Sequence, residues 1–335
     1  MSRALIVGGA GFIGSHTVRC FLDAGVEVFV LDAIHIYVLP IQPWFLENMN
    51  YRFNYLWRGA RVERGSTLNM NDLRRVIMEV RPDYIIHFAS LPLANLAVRQ
   101  TEEAFKGILQ GTVNILEILR DVNFVRRFTY ISSSMVYGDF TKIPVPEDAE
   151  KDPKDIYGGM KLAGEILTRV YAKRYGIAYT IIRPSAVYGP TDNNRRVIQI
   201  FLENAFAGEP IYINRGSDTV LDFTYVKDVA QGIYLATVSE AGANQEFNIT
   251  RGEGRSLYAL VDILRNHFPQ LEVYEREDQE SLRPRRGALD IRKARELLGY
   301  EPRWSLEEGI EDYISFMKEF NPSVTQRKLT SQGER

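Results

Sequence analysis

The sequence predicts an α/β fold: a doubly wound parallel sheet followed by a smaller C-terminal lobe. Three observations predict it. Short β-rich apolar runs alternate with segments of helical period through the first half, and a glycine triad follows the first run directly. From about residue 184 that alternation gives way to turn-rich stretches such as "VYGPTDNN" and "NRGSDT". Repeated βαβ units bury both faces of a parallel sheet under helices, and the ligands of such a sheet lie outside the carboxyl ends of its strands.

The first strand is "RALIV", a continuous apolar run. In "ALIVGGAGFIGSH" it leads straight into Gly8, Gly11 and Gly14, with Phe12 and Ile13 inside the turn, at the start of an amphipathic helix. Glycines there permit a tight turn and close backbone approach. The helix N-terminus offers free N–H groups and partial positive charge to a pyrophosphate. The second strand, "EVFVLD", ends in Asp32, eighteen residues beyond Gly14. That is near the spacing of an acid that holds the adenosine ribose hydroxyls, and a carboxylate there repels a 2′-phosphate. The sheet is therefore expected to be Rossmann-like, with NAD favoured over NADP.

The third strand, "RVERG", leads into Ser66 and Thr67, and the fourth, "DYIIHFA", ends in Ala89 and Ser90, small residues where the cofactor backbone would pass. His87, inside that fourth strand, reads as a packed, hydrogen-bonded core histidine and is given no chemistry. The fifth strand, "RRFTYIS", delivers Ser132, Ser133 and Ser134 to the same sheet edge, and the sixth, "YTIIRPS", runs to Pro184. Between the second and third strands lies "AIHIYVLPIQPWFLENMNYRFNYLW", residues 33–57, with seven aromatics. Pro40, Pro43, Glu47 and Arg52 argue against a membrane span. The segment is expected to be an amphipathic lid or a helix packed on the domain, or else an exposed patch for oligomer contact or ligand closure.

The run "YGGMKLAGEILTRVYAKRY" reads as a long helix in spite of Gly158, Gly159 and Gly164. Each interior glycine costs roughly 1 kcal/mol relative to alanine, so close backbone approach is the expected reason for them. Tyr157 and Lys161 lie one turn apart on one face. An unperturbed phenol, with a pKa of about 10, must drop by about 3 pH units, or about 4 kcal/mol, to act as a base near neutrality. One positive charge about 5 Å away supplies roughly 3 kcal/mol at an effective dielectric of about 20. Lys161 nearly suffices alone, and an oxidised nicotinamide would add the rest. A serine hydroxyl from the fifth strand's end can bridge a substrate hydroxyl and this phenolate.

Composition narrows the partners. The chain has 335 residues, 45% apolar and 25% charged, with 41 basic and 43 acidic side chains and a formal net charge of −2. Such a balance gives no footprint for nucleic acid or an anionic membrane, so a small molecule is the expected partner. Cys20 is the only cysteine and reads as a small buried apolar residue. The N-terminus shows no leader pattern and no stretch reaches about 18 uninterrupted apolar residues, so a cytoplasmic protein is expected. No metal is assigned. The expected division is a dinucleotide-binding domain at 1–183, a mainly substrate-binding lobe at 184–320 with some chain returning to the large domain, and a polar tail at 321–335.

The motifs "GGAGFIGSH", "LDA", "HFAS", "GTVNILE", "SSSMVYG", "YGGMK", "RPSAVYGP", "LDFTYVKDVAQGI", "FNIT" and "ARELLGYEPRWSLEEGI" stand in order. With them the chain resembles the extended short-chain dehydrogenase/reductase superfamily, particularly its nucleotide-sugar epimerases and dehydratases, across roughly residues 3–320. The resemblance implies Ser133 as the catalytic serine, Tyr157 as base, Lys161 as its partner, NAD as cofactor and hydride transfer from sugar C4 to leave a 4-keto nucleotide sugar. It also implies a homodimer formed through "EEAFKGILQGTVNILEILRD" and the Tyr157 helix.

Dehydratases of this family carry an Asp–Glu pair after the catalytic threonine, and its decarboxylases a glutamate; here Ser134 and Met135 stand there. A methionine cannot exchange protons, so 4-epimerisation leads. C4 dehydrogenation, 4,6-dehydration and, in another class, a non-catalytic NAD-binding sensor are the alternatives. Three departures concern binding: Ser66 stands where relatives hold adenine with an aspartate, Ala186 where an asparagine contacts the sugar nucleotide, and Leu221 where an arginine binds the diphosphate. Arg283, in "SLRPRRG", and Arg196, in "DNNRRV", are the candidate replacements.

Overall fold

The computed structural model describes residues 1–36, 41–89, 91, 94–214, 219–276 and 284–326. All six runs read from the sequence are strands: β1 (Arg3–Val7), β2 (Glu27–Asp32), β3 (Arg61–Arg64), β4 (Tyr84–His87), β5 (Arg127–Ile131) and β6 (Tyr179–Arg183). They lie in the order β3-β2-β1-β4-β5-β6, and a seventh strand, Gln245–Asn248, returns to pair in parallel with β6. β1 pairs on one side with β2 and on the other with β4, so Val7 faces both Leu31 and His87. The direction of winding reverses there, and a crevice opens at the strands' carboxyl ends.

The central strands are largely apolar because both faces are covered, whereas the edge strand β3, Arg61–Arg64, is charged and not buried. Ala4 and Ile6 of β1 enter one core cluster, Leu5 and Val7 the other, as the period of two requires. Helix α1 (Phe12–Asp23) starts at the glycine turn and has no acidic residue in its first turn, so nothing repels an anion placed there.

A separate core forms around Tyr188, Phe201, Phe223, Leu260, Ile310 and Tyr313. The aromatic insertion joins it to the sheet. A helix, Pro43–Tyr51, runs into a π-helical turn, Arg52–Leu56. Trp44 enters this second core, while Leu56 and Trp57 enter the core under β1. Tyr51 meets Phe316 and Phe320 at centroid distances of 4.9 and 4.7 Å. The insertion is thus a packed helix, with Leu46, Phe53 and Tyr55 left exposed on its outer side. The run "EEAFKGILQGTVNILEILRD" is less regular than its spacing predicts: helix at Thr101–Phe105, a π-helical turn at Lys106–Gln110 and helix again at Gly111–Leu119.

Candidate active site

The glycine turn is set by close approach. Gly8 has φ +81°, and a Cβ on it would lie 2.6 Å from the Ala89 nitrogen. A Cβ on Gly14 would lie 2.5 Å from the Gly8 carbonyl. Asp32 accepts from the Ala10 N–H at 2.9 Å and the Ile34 N–H at 2.7 Å, which ties the end of β2 to the turn. Burial pushes its pKa up, and those two N–H groups and Arg52 oppose that.

From Asp32 a cleft of about 550 Å³ runs along the sheet edge to the serine turn. Gly8, Gly11, Phe12, Ile13 and Gly14 line its near end, with Ser66, Thr67 and Ala89 beside them. Pro184, Ser133, Ser134, Met135, Tyr157 and Lys161 line the far end, and Ala186 and Arg196 close it from the second core's side. Ser90 and Arg283 lie outside the described residues.

The helix Ile156–Tyr175 carries Tyr157 and Lys161, and its N-terminus is capped by Asp155, which accepts from the Gly158 N–H at 2.7 Å. Two of its glycines explain how it comes so close. A Cβ on Gly158 would lie 2.6 Å from the Met135 carbonyl, and one on Gly164 would strike the Tyr130 hydroxyl; Gly159 faces open space. Closeness to the serine turn and to β5 is what the glycines provide. Ser133 caps the short 3₁₀ turn Ser134–Tyr137, accepting from the Met135 N–H at 3.2 Å, and its hydroxyl lies near enough to the Tyr157 phenol to lower the phenol's pKa.

The electrostatics correct one expectation. Lys161 is buried; its Nζ donates to the Ile131 carbonyl at 2.8 Å and lies 5.8 Å from the Tyr157 ring centroid. Burial lowers its pKa to about 7, against the pull of Glu165. Burial raises the Tyr157 pKa, and the charge that first opposes this is Arg196, followed by the Ser133 hydroxyl. The ammonium is spent on a backbone carbonyl and on surviving burial, so Lys161 does not by itself hold the phenol down. Arg196 pairs with Asp192 at 3.2 Å and lies over the Phe12 ring at 5.7 Å, between the two ends of the cleft.

Leu221 is not among the cleft-lining residues: it pairs with Arg255 and packs on the second core. Its neighbour Asp222 is the organising group, accepting from the Gly252 N–H at 3.2 Å and the Leu289 N–H at 3.0 Å. His87 is buried, with Nε2 3.0 Å from the Thr112 hydroxyl, and burial lowers its pKa to about 3, so it is a neutral packed residue.

Among the cleft residues that escaped the sequence reading, Arg52, Ser185 and Arg286 bear on the cleft's charge and polarity. Arg52, from the aromatic insertion, donates to the Ala10 and Thr191 carbonyls. Ser185 and Arg286 meet beside the serine turn, Arg286 Nη2 donating to Ser134 Oγ at 2.7 Å and to Ser185 Oγ at 2.9 Å. The only local signal for Arg286 is its place in the arginine-rich "RPRRG".

These residues fit NAD. The turn closes to any Cβ at Gly8 and Gly14, the first turn of α1 carries no acid, and the Asp32 carboxylate is fixed at the near end of the cleft. The Tyr157 phenol stands at the far end, beside Ser133.

Residues 4–250 match the model of the NAD dependent epimerase/dehydratase family. A putative UDP-glucose 4-epimerase of Methanocaldococcus jannaschii is 31% identical over 95% of this chain and 99% of its own. Among solved structures, the UDP-glucose 4-epimerase of Thermotoga maritima with UDP-glucose is 30% identical, with a TM-score of 0.83 over 95% of this chain and 99% of that one. The UDP-glucuronic acid 4-epimerase of Bacillus cereus, in complex with UDP-glucuronic acid and NAD, is 25% identical, with a TM-score of 0.84 over the same shares. With a family match over most of its length and a relative of this identity spanning it, the chain belongs to the NAD-dependent epimerase/dehydratase family.

Proposed function

We propose that this protein is an NAD-dependent nucleotide-sugar 4-epimerase. One observation carries the reading: Ser133 and Tyr157 line the same end of the cleft, with Met135 where elimination or decarboxylation would need an acid. Ser133 orients the sugar C4 hydroxyl and Tyr157 takes its proton. NAD, when bound, would supply the acceptor of the C4 hydrogen as hydride and its later donor. Lys161, anchored on Ile131, would hold the cofactor ribose. Between the two transfers the C4 ketone turns over in the pocket, and Tyr157 then gives the proton back to the C4 oxygen. No further proton-transfer group is required, which is why a serine, a tyrosine and a cofactor suffice.

Relatives named as UDP-glucose and UDP-glucuronate 4-epimerases support a uridine diphosphate hexose as substrate. Residues 1–183 would hold the cofactor and 184–320 most of the sugar nucleotide, a division supported by Ser185, Ala186 and Arg196 on the cleft's second side. The same reading makes the protein a cytoplasmic homodimer joined through the Tyr157 helix and the 101–119 segment, on which Phe105, Ile166 and Val170 are exposed. Light scattering of the purified protein tests the dimer. No helix among the described residues is long and apolar enough to cross a membrane.

Incubation with UDP-glucose and UDP-glucuronic acid tests the reaction. The expected product is the C4 epimer with no net NADH. A stable keto sugar with stoichiometric NADH would make the protein a dehydrogenase, a 4-keto-6-deoxy product a dehydratase, and NAD binding without turnover a sensor.

A further inference from the structure

Arg286 is a cation without an acidic partner in a place that a sugar must reach. Its Nη2 bonds two serine hydroxyls, its Nη1 lies 2.8 Å from the Met135 sulfur, and its buried Nε has no hydrogen-bond partner. Among the described residues no carboxylate is bonded to it; Asp222 and Asp155 act only from a distance. Burying a guanidinium among neutral groups is costly, and such a charge is ordinarily matched by an anion. At Arg183 the chain supplies that anion from Glu165 and Glu246. At Arg286 it supplies none.

The seat is rigid. The Arg285 N–H donates to Asp139 at 2.7 Å and its carbonyl accepts from the Phe140 N–H at 2.9 Å. The Ala288 carbonyl accepts from the Val145 N–H at 3.0 Å, and the Leu289 N–H donates to Asp222 at 3.0 Å. The Phe140 ring lies 5.4 Å from the guanidinium carbon. Arg286 is therefore clamped to the segment that follows the serine turn and is not a loose surface side chain.

The donor set is specific. Because Ser134 and Ser185 accept from Arg286, each hydroxyl keeps its own proton to donate. They give two hydroxyl donors beside one positive charge on residues that line the cleft. Ser134 directly follows Ser133, which in the reading above holds the C4 hydroxyl. In a hexopyranose, C6 is carried on C5, the neighbour of C4, whereas C1 and its diphosphate lie across the ring. An anion beside Ser133 therefore comes from C6.

We propose that Arg286, Ser134 and Ser185 form a carboxylate subsite for C6 of the sugar, and that the substrate is a nucleoside-diphosphate hexuronate rather than a neutral hexose. This rests on the 4-epimerase reading and adds the substrate class to it.

The test compares kcat/KM on UDP-glucuronic acid and UDP-glucose for the wild type, Arg286→Met, Arg286→Lys and Ser185→Ala. The wild type is expected to favour the uronate at least about tenfold, and Arg286→Met to lose about 100-fold on it, at least about tenfold more than on UDP-glucose, as loss of a buried charge-assisted contact implies. Arg286→Lys should retain part of the preference, which guards against a variant that merely misfolds. Equal losses on both sugars, placing Arg286 on the shared diphosphate or in the scaffold, would overturn the proposal, as would a wild type that favours UDP-glucose. Should neither sugar turn over, the 4-epimerase reading fails separately. Competition binding of the two nucleotides to the NAD-loaded protein then decides the subsite: tighter uronate binding that Arg286→Met abolishes supports it, and equal binding refutes it.

Discussion

Two layers of buried positive charge serve the cleft edge of the sheet, one beneath the cleft and one lining it, and they are built differently. In the deep layer, Arg183 is fully closed. Its Nε and Nη2 donate to Glu165 at 2.8 and 2.7 Å, Nη2 also reaches Glu246, and Nη1 donates to the Tyr137 hydroxyl and the Glu147 carbonyl, both at 2.9 Å. Burial alone would lower its pKa, and Glu165, with Tyr137 and Glu246, more than reverses that. The cleft layer is open. Lys161 has one carbonyl, and Arg52 and Arg286 each keep a buried Nε without a partner. Burial drops Lys161 to about 7 and both arginines to about 10. The same burial, met by carboxylates in one layer and by neutral groups in the other, separates a scaffold charge from charges that face ligands.

Removing Glu165 should expose that contrast most strongly. Its carboxylate is fully buried and holds both Arg183 and the Ser132 hydroxyl, the latter at 2.6 Å. Glu165→Ala leaves Arg183 with the half-buried Glu246 as its only carboxylate and is expected to cost about 3 kcal/mol in urea unfolding. A loss below about 1 kcal/mol would mean the deep layer is no scaffold. In the cleft layer's neighbourhood, Tyr157→Phe is expected to lower kcat about 10³-fold while NAD affinity stays within a few fold, read by turnover and by nucleotide titration. Turnover that survives would remove Tyr157 from the mechanism.

Lys161 gives an effect of opposite sign. Its folded pKa, about 7, lies below the ordinary 10.5, so between these values the unfolded chain binds more protons and wild-type stability rises with pH. Below about pH 7 the full cost of the buried ammonium is present. Lys161→Met is therefore expected to stabilise the NAD-free protein by about 2 kcal/mol at pH 6, with the gain shrinking through the window and gone by about pH 10.5. A loss at pH 6 would show that the ammonium is better compensated than Ile131 and Glu165 alone make it. The same variant should be nearly inactive, so stability and activity part company at this residue.

How much of this was legible depends on the distance over which the signal travels. The buried strands β1, β2, β4, β5 and β6 were legible because strands covered on both faces are largely apolar runs, the charged edge strand β3 through its place in the βαβ alternation, and the glycine turn because its steric demands are local. The seventh strand, "QEFN", was not: Gln245 and Glu246 are half-buried, and Glu246 is there to meet Arg183. At the site, Ser133, Tyr157 and Lys161 were legible as residues, since their spacing and flanking motifs are local. The source of charge on Tyr157 was not, because Arg196 reaches it only through the folding of the second core. Arg286 reaches Ser134 across 152 residues of chain, so choosing it from the arginines of "RPRRG" takes the geometry of the 138–145 segment. The sequence shows that Lys161 can act on Tyr157; only the fold shows that it also bonds Ile131.

The smallest expected effect tests the glycines that bring the Tyr157 helix against the serine turn and β5. Gly159 faces open space, so Gly159→Ala should simply regain helix propensity and stabilise by about 0.5–1 kcal/mol in urea unfolding. Gly158→Ala and Gly164→Ala gain the same propensity, but each must displace something. At Gly158 it is the Met135 backbone of the serine turn, and at Gly164 it is the Tyr130 side chain. Both should be net destabilising. Gly158→Ala should also lower kcat, because shifting Met135 moves Ser133 relative to Tyr157. If Gly158→Ala stabilises as Gly159→Ala does, the helix has room to spare at its N-terminus, and tight packing on the serine turn is not what sets the Ser133–Tyr157 contact.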